Sequence, residues 1–216
     1  IQFGYLKRPT HKSRQFEKDL YETSHHKYAA LTDGENGLAI LNDCKYGISA
    51  QDSKLSLTLL KAPVMPDMNA DQGVHEFSYT LYPFSGPFNH SAVPQAGYEF
   101  NLEPTCTWAN AGDGVVNATG GEKAVSFFRV EGAHVMIDTC KPAMDVKNAA
   151  VLRMYEYMGS AGHCDLYLPT EVKKCFVCNM LEEKQQELKI KEKEGKKYVE
   201  RINFHAFEIK TLMLEV

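Results

Sequence analysis

The chain has 216 residues, of which 44% are hydrophobic and 24% are charged, and its formal net charge is -4 at pH 7. This composition is typical of a soluble globular protein of one or two domains, and it points to neither nucleic acid nor an anionic membrane as a partner. The sequence lacks both a signal peptide and the apolar run of ~20 residues that spans a bilayer, so we expect a cytoplasmic protein. Because it begins with Ile1, we also expect a piece of a longer polypeptide.

Apolar and polar residues alternate with a period of two along most of the chain, which predicts strands rather than helices. In chain order, the predicted strands are residues 21–32, 38–41, 55–60, 75–81, 124–131 and 151–158. The turn residues at 33–37 predict a hairpin between the first two strands. Many short strands without a βαβ alternation favour an all-β sandwich.

Residues 182–201 carry six Glu and seven Lys or Arg, and they predict a charged hairpin with its tip near Glu194 and Gly195. The nearly balanced charges are typical of a solvated face and not of a binding surface. A shift in composition at residues 141–148 predicts a domain boundary. We therefore expect one β-domain over residues 1–146 and a smaller one over residues 147–216.

The six cysteines have irregular spacings, and we expect reduced thiols. Cys175 and Cys178, together with His163 and Cys164, form a nominal set of four zinc ligands. In a strand, however, residues three apart point to opposite faces, so one ion could reach both Cys175 and Cys178 only if the backbone turned. We predict ordinary buried or half-buried thiols. The same alternation makes the neighbouring His25 and His26 a weak candidate site.

The apolar residues 38–41 stop at a polar stretch, residues 42–47, before alternation resumes. One interpretation is a well-bonded turn, in which Asn42 or Asp43 caps backbone amides and Gly47 takes a positive φ. The other is a loop that contacts a ligand, because acid, amide, lysine and tyrosine side chains can bind sugar hydroxyls. Sequence motifs of nucleophilic or phosphate-binding sites are missing, and no two acids can be paired from sequence alone as a glycosidase requires.

Several long segments resemble the C-terminal region of the α-mannosidases of glycoside hydrolase family 38, most closely the cytosolic and bacterial branch. They are residues 8–11, 41–47, 57–63, 66–83 and 97–102, followed by the closing segments CNMLEEKQQEL and FHAFEIKTLML. The resemblance runs nearly from end to end. It implies a large β-sandwich of the galactose mutarotase-like type followed by a small C-terminal β-sandwich.

The resemblance also implies a function. Members of the family are retaining glycosidases that remove α-linked mannose with an Asp nucleophile, a second carboxylate and one divalent metal, usually zinc. Those groups belong to an N-terminal catalytic domain, so we expect neither catalytic residues nor a metal site in this chain. We expect the chain to support that domain, its partner in the same polypeptide, and to complete the mannoside pocket with Asn42, Asp43, Lys45 and Tyr46. Surface that normally packs on the catalytic domain predicts self-association of the isolated chain, as a homo-oligomer.

Two other functions remain open from the sequence. A free-standing carbohydrate-binding β-sandwich would need exposed aromatic side chains aligned on one face, and the single tryptophan, Trp108, lies in a Gly-rich context. A zinc- or thiol-dependent domain would need stoichiometric metal or a thiol of low pKa.

Overall fold

The computed structural model describes residues 1–108 and 126–216. Two compact units make up the chain: unit 1 comprises residues 1–2 and 6–105, and unit 2 comprises residues 3–5 and 106–216. The predicted boundary between residues 146 and 147 is a different division and stays a prediction. The all-β class is confirmed, and none of the helices in the described part of the chain has the length or apolar character to cross a membrane.

The elements of unit 1 are two α-helices, one short 3₁₀ helix and six strands. In chain order they are α1 (Gln15–Asp19), β1 (Thr23–Ser24), β2 (Tyr28–Thr32), β3 (Asn36–Asn42), β4 (Gly47–Gln51), β5 (Lys54–Thr58), β6 (Tyr79–Ser85), the 3₁₀ helix Phe88–His90 and α2 (Val93–Phe100). The strands form two antiparallel three-stranded sheets, in the orders β1-β4-β5 and β2-β3-β6. The predicted strand 21–32 is therefore two strands, which belong to different sheets.

The two faces of the β2-β3-β6 sheet have different surroundings. One face packs against α2 and the 3₁₀ helix, and its buried centre is Ala39, Leu41 and Val93. Successive strand residues alternate between faces, so the opposite face carries Ala29, Leu31, Leu38, Ile40, Tyr79, Leu81 and Pro83. This second face is called the outer apolar face below. Leu38 is 42% exposed and Leu81 is 59% exposed, although such side chains normally avoid water.

The described residues of unit 2, which are 3–5, 106–108 and 126–216, form nine strands. They are β7 (Arg129–Gly132), β8 (Val135–Pro142), β9 (Ala149–Glu156), β10 (Gly162–Leu168), β11 (Lys174–Cys178), β12 (Lys184–Leu188), β13 (Ile190–Lys193), β14 (Lys196–Phe204) and β15 (Ile209–Glu215). They form a four-stranded sheet, β13-β14-β10-β7, and a five-stranded sheet, β12-β11-β15-β9-β8. Both sheets contribute to one buried cluster, with Leu152 and Leu212 from one and Leu166 and Phe204 from the other. The C-terminal β-sandwich is thereby confirmed.

Two details of unit 2 agree with the alternation in the sequence. The charged hairpin is confirmed: β13 and β14 pair, and both Glu194 and Gly195 at the tip have positive φ. Cys175 lies in the core between the sheets, whereas Cys178 lies in a second cluster with Val151 and Met213. The two thiols point to opposite faces of β11, as predicted.

A buried carboxylate organises one end of the sandwich. Glu156 is 0% exposed at the end of β9. It accepts hydrogen bonds from the backbone amides of Met158 and Gly159, each at 2.8 Å, and of Phe207 at 3.0 Å. Because these amides belong to the 157–160 and 205–208 turns, one side chain fixes both turns. Segment 3–5 attaches there, with the Tyr5 hydroxyl donating to the Met158 carbonyl at 3.2 Å.

Candidate functional site

The polar residues 42–47, called the Asn42 turn below, join the central strands of the two sheets of unit 1. β3 ends at Asn42 and β4 begins at Gly47. A second connection, residues 25–27, joins β1 and β2, which pair with β4 and β3. The two connections are bonded side by side, with the His25 amide donating to the Tyr46 carbonyl at 2.9 Å and the Asn42 amide to the Lys27 carbonyl at 3.1 Å.

Asn42 is the buried anchor of this turn, with 1% of its surface exposed. Its Oδ1 accepts the Lys45 amide at 2.7 Å, which closes the turn. Its Nδ2 donates to the His26 carbonyl at 2.7 Å and lies 2.9 Å from Nε2 of His25. From α2, Asn101 Nδ2 reaches the Asn42 carbonyl at 3.0 Å. Both amide hydrogens of Asn42 therefore have protein acceptors.

Asp43 ties the turn to the segment that precedes β6. Its Oδ2 accepts the Ser78 amide at 2.8 Å, and its own amide donates to the Ser78 carbonyl at 3.2 Å. The neighbouring Cys44 thiol and the Ser78 amide lower the pKa of Asp43, and the carboxylate in turn raises the pKa of Cys44. Asp43 Oδ1 is shielded from water and has no hydrogen-bond partner among the described residues. It is the unused acceptor of the turn.

Lys45 and Tyr46 present their side chains at the surface of the turn. The Lys45 ammonium lies 4.7 Å from the ring centroid of Phe77, and the Tyr46 ring lies 5.4 Å from that of His26. Tyr46 is 52% exposed. A cation beside an aromatic ring keeps its N–H donors available on the side away from the ring. The structure thus brings Asp43, Lys45 and Tyr46 together on one short connection.

Gly47 departs from the expectation of a positive φ: its φ lies outside the left-handed region, so that prediction is wrong. Gly47 is needed instead because a side chain at this position would collide with its neighbours. A Cβ at this position would lie 2.7 Å from Oε1 of Glu22 and 3.1 Å from Cβ of Thr58. Glu22 accepts hydrogen bonds from Thr58 Oγ1 and Lys61 Nζ, each at 2.5 Å, so the close approach serves an ordered polar cluster beneath the turn.

His25 and Asn101 are members of the site that the sequence interpretation missed. His25 is 6% exposed and contacts both Asn42 and the Tyr46 carbonyl, the latter through Nδ1 at 3.1 Å. The alternation argument set the His25–His26 pair aside because it assumed one continuous strand. The chain leaves β1 at Ser24 and enters β2 only at Tyr28, so the alternation does not apply to His25.

Two family models match the chain in order. Residues 1–69 match the glycosyl hydrolases family 38 C-terminal domain, and residues 134–212 match the glycosyl hydrolases family 38 C-terminal beta sandwich domain. The chain belongs to glycosyl hydrolase family 38. The Asn42 turn lies within the first match, and most of the C-terminal β-sandwich lies within the second.

Curated relatives of this family 38 chain are α-mannosidases. Alpha-mannosidase 2C1 of Homo sapiens is 37% identical over 194 residues, which cover 84% of this chain and 17% of that protein. Alpha-mannosidase G of Dictyostelium discoideum is 34% identical over 214 residues, which cover 98% of this chain and 19% of that protein. The chain thus spans less than a quarter of the length of either relative.

Solved structures give the same fold. An alpha-mannosidase from Enterococcus faecalis V583 superposes with a TM-score of 0.74 at 18% sequence identity, covering 99% of this chain and 23% of that one. A second family 38 structure from Enterococcus faecalis has a TM-score of 0.73 at 17% identity. At these identities the likeness concerns the fold alone.

The described part of this family 38 chain does not fit a metal site. Within residues 1–108 and 126–216, no group of three His, Cys, Asp or Glu side chains is placed to hold an ion. The nominal zinc set fails on geometry, because Cys164 and Cys175 lie in the sandwich core and Cys178 lies on the other face of its sheet. Burial raises the pKa of Cys164 and of Cys175 to about 12, so both thiols are protonated at neutral pH.

The outer surface of the four-stranded sheet bears the aromatic pair most relevant to a free-standing carbohydrate-binding module. Tyr167 and Tyr198 face each other in register on β10 and β14, with ring centroids 5.7 Å apart. The Arg129 guanidinium lies over the Tyr167 ring at 4.2 Å and pairs with Glu131. Arg129 and Tyr198 thus both contact the Tyr167 ring, on which a sugar would otherwise stack. The arrangement favours cross-strand stabilisation.

Proposed function

We propose that this chain is the C-terminal β-region of a retaining α-mannosidase and that the hydrolytic residues lie in a catalytic domain of the same polypeptide. The observation that carries this proposal is the ordered match of both family 38 C-terminal domains, in a chain that spans only 17% and 19% of two α-mannosidases. The substrate is then a terminal α-linked mannoside, and the reaction is hydrolysis of its glycosidic bond.

The outer apolar face of unit 1 supports packing against that catalytic domain. Leu38, Tyr79 and Leu81 lie on one side of a sheet whose other side is already covered by α2. An exposed apolar sheet face is stabilised when another surface removes it from water, at about 25 cal/mol for each Å² buried. In this proposal the catalytic domain covers the face, and the isolated chain associates with itself through it.

The Asn42 turn supplies the groups that we propose contact the mannoside. Lys45 donates to a sugar hydroxyl, Tyr46 packs on or hydrogen-bonds to the ring, and the Asp43 carboxylate accepts a hydroxyl hydrogen. Asn42 supports these groups from the buried side of the turn, because its own amide hydrogens already bond to His25 and His26. The turn then determines how the sugar is oriented, while bond cleavage belongs to the catalytic domain.

The divalent metal of the family, zinc in this proposal, binds in the catalytic domain, because the described residues of this chain offer no site. The chemistry that it supplies when bound is polarisation of the sugar hydroxyls it contacts. We also propose a cytoplasmic location. All six cysteines are free thiols, as is usual in a reducing compartment.

The test is hydrolysis of 4-nitrophenyl α-mannoside by the full-length polypeptide that contains this chain. We expect activity, and we expect Lys45→Met to lower kcat/KM roughly ten- to a hundredfold, the loss of one charge-assisted hydrogen bond worth about 1.5–3 kcal/mol. Lys54→Met, an exposed lysine on β5 of the neighbouring sheet, is the matched control and should leave kcat/KM unchanged.

Two outcomes would contradict the proposal. Absence of hydrolysis by the folded full-length polypeptide would remove the α-mannosidase assignment. Equal kcat/KM for Lys45→Met and Lys54→Met, at equal Tm, would remove the turn from the sugar pocket and leave the region with a supporting role only.

A further inference from the structure

His25 is a buried histidine of the 25–27 connection, and its ring contacts both Asn42 and the Tyr46 carbonyl of the neighbouring Asn42 turn. We propose that His25 is the positioning residue of the Asn42 turn, which neutral His25 holds in place and protonated His25 releases. The hydrogen bonds by which neutral His25 holds the Asn42 turn are called the latch below. The consequence of the latch for sugar binding rests on the proposed function above, whereas the latch itself does not.

The hydrogen bonds of Asn42 fix its orientation. Oδ1 accepts the Lys45 amide at 2.7 Å, so the oxygen must face into the turn. Nδ2 therefore faces the other way, where it donates to the His26 carbonyl at 2.7 Å. A flipped amide would place an N–H group against the Lys45 N–H and an oxygen against the His26 carbonyl oxygen. Asn42 thus presents its second amide hydrogen to His25 and cannot present an acceptor.

This orientation assigns the tautomer of His25. Nε2 lies 2.9 Å from Asn42 Nδ2 and must accept, so it carries no hydrogen. Nδ1 lies 3.1 Å from the Tyr46 carbonyl and must donate, so it carries the single imidazole hydrogen. A neutral imidazole has one donor and one acceptor, and both are used here. The ring therefore bonds to the first and the fifth residue of the Asn42 turn at once.

Protonation of His25 at Nε2 removes the acceptor to which the Asn42 side-chain amide donates. A second hydrogen on Nε2 would point at the amide hydrogen of Asn42, and relief by an amide flip would break the bonds to Lys45 and His26. The Asn42 side chain would have to leave its pocket, and the backbone of the turn would lose the bond that closes it. Release is local, because the β2-β3 and β4-β5 pairings use other atoms.

The surroundings of the ring oppose its protonation. Burial is the largest influence that lowers the pKa of His25, and the adjacent His26 lowers it further, while the hydrogen bond to the Tyr46 carbonyl raises it. The folded turn therefore binds the proton less tightly than an open turn does. Its stability is complete above about pH 6.5, the ordinary histidine value, and is lost as the pH falls through the lowered pKa.

Hydrogen–deuterium exchange of the full-length polypeptide, followed by mass spectrometry between pH 5.0 and 7.5, tests the latch. The reporter is the peptide spanning residues 42–47, since the Lys45 amide is protected by Asn42 Oδ1. After correction for intrinsic exchange, we expect protection of this peptide to fall roughly tenfold or more at the acid end. Peptides from β15 in unit 2 should keep their protection from exchange over the same pH range.

Two substitutions at His25 separate charge from shape. His25→Gln places an amide oxygen near the position of Nε2 and cannot take up a proton, so we expect protection at pH 7.5 that no longer falls at pH 5.0. His25→Phe retains the bulk without an acceptor and should show low protection at both values. His26→Gln is the matched control: it leaves the hydrogen bonds of His25 in place, so the peptide should still lose protection at the acid end.

A pH-independent wild-type turn, or a His25→Phe variant with full protection, would overturn the latch. The mannosidase assay distinguishes this from a failure of the proposed function. If exchange behaves as expected but His25→Phe keeps the kcat/KM of the wild type, the latch stands and the sugar-contacting role of the turn is wrong.

Discussion

At the level of single residues, the groups that hold this chain together are buried polar side chains that bond to backbone. Asn42 closes one turn in unit 1, and Glu156 fixes two turns in unit 2. A buried carboxylate surrounded by amide hydrogens is stabilising only while each hydrogen has its acceptor. Such residues therefore carry more of the folding free energy than their number indicates.

Replacing Glu156 with Gln should measure this directly. The new NH₂ group would meet an amide hydrogen of either Met158 or Gly159, so we expect the free energy of unfolding to fall by about 2–4 kcal/mol. Urea unfolding of the full-length polypeptide, followed by exchange of the 157–160 peptide, provides the measurement. Glu200→Gln is the control: Glu200 pairs with Lys191 at the surface, where an ion pair is worth about 1 kcal/mol or less.

Sequence patterns did not predict the partners of these residues. The polar stretch that begins at Asn42 was visible as a turn or a ligand loop, and the capping role of Asn42 is confirmed. His25 and Asn101 join it from 17 and 59 positions away along the chain. No local signal specifies such pairs, because they depend on how two connections and a helix come together in space.

At the level of elements, the charged hairpin illustrates what alternation predicts well. Period-two patterning and the Glu194–Gly195 pair located the tip, and both residues take the positive φ that a tight two-residue turn requires. Glutamate is a poor choice for this backbone conformation, whereas asparagine adopts it readily. The hairpin is therefore not optimised for stability at its tip.

Glu194→Asn should stabilise the protein by about 0.5–1 kcal/mol, because Asn-Gly is a favoured sequence for this turn. Thermal unfolding monitored by exchange in unit 2 would detect the gain as a higher midpoint. The same change at Glu192, an exposed position within β13, gives no such benefit and serves as the control. A lower midpoint for Glu194→Asn would contradict the assignment of the turn.

The strand predicted at residues 75–81 was displaced, for an identifiable reason. β6 runs from Tyr79 to Ser85 and includes Pro83, a residue that normally argues against a strand. β6 is an edge strand of its sheet, so the missing N–H of proline costs no ladder hydrogen bond there. Residues 75–78 alternate in polarity but lie outside any strand. Alternation reveals that a strand is near, and only the sheet order determines where it ends.

At the level of the whole molecule, the two units are stabilised differently. Unit 2 has one large apolar core between its sheets, whereas the largest buried cluster of unit 1 contains three buried residues, Ala39, Leu41 and Val93. Unit 1 relies in addition on the polar bonds around the Asn42 turn. The family resemblance in the sequence predicted the all-β class and the closing sandwich, while the division at residue 146 remains a prediction.

The core of the sandwich contains one cysteine from each of its sheets. Cys164 belongs to β10 and Cys175 to β11, and both are 0% exposed in the same cluster. The reactivity of these two thiols therefore reports when the two sheets separate, and no label has to be introduced. In urea of increasing concentration, Cys164 and Cys175 should be alkylated at one shared rate, as peptide mass spectrometry would record. Exposed Cys140 should react at once in every sample. Unequal alkylation rates for the two buried thiols would mean that the two sheets loosen one at a time. Equal rates would mean that the two sheets separate in a single cooperative step.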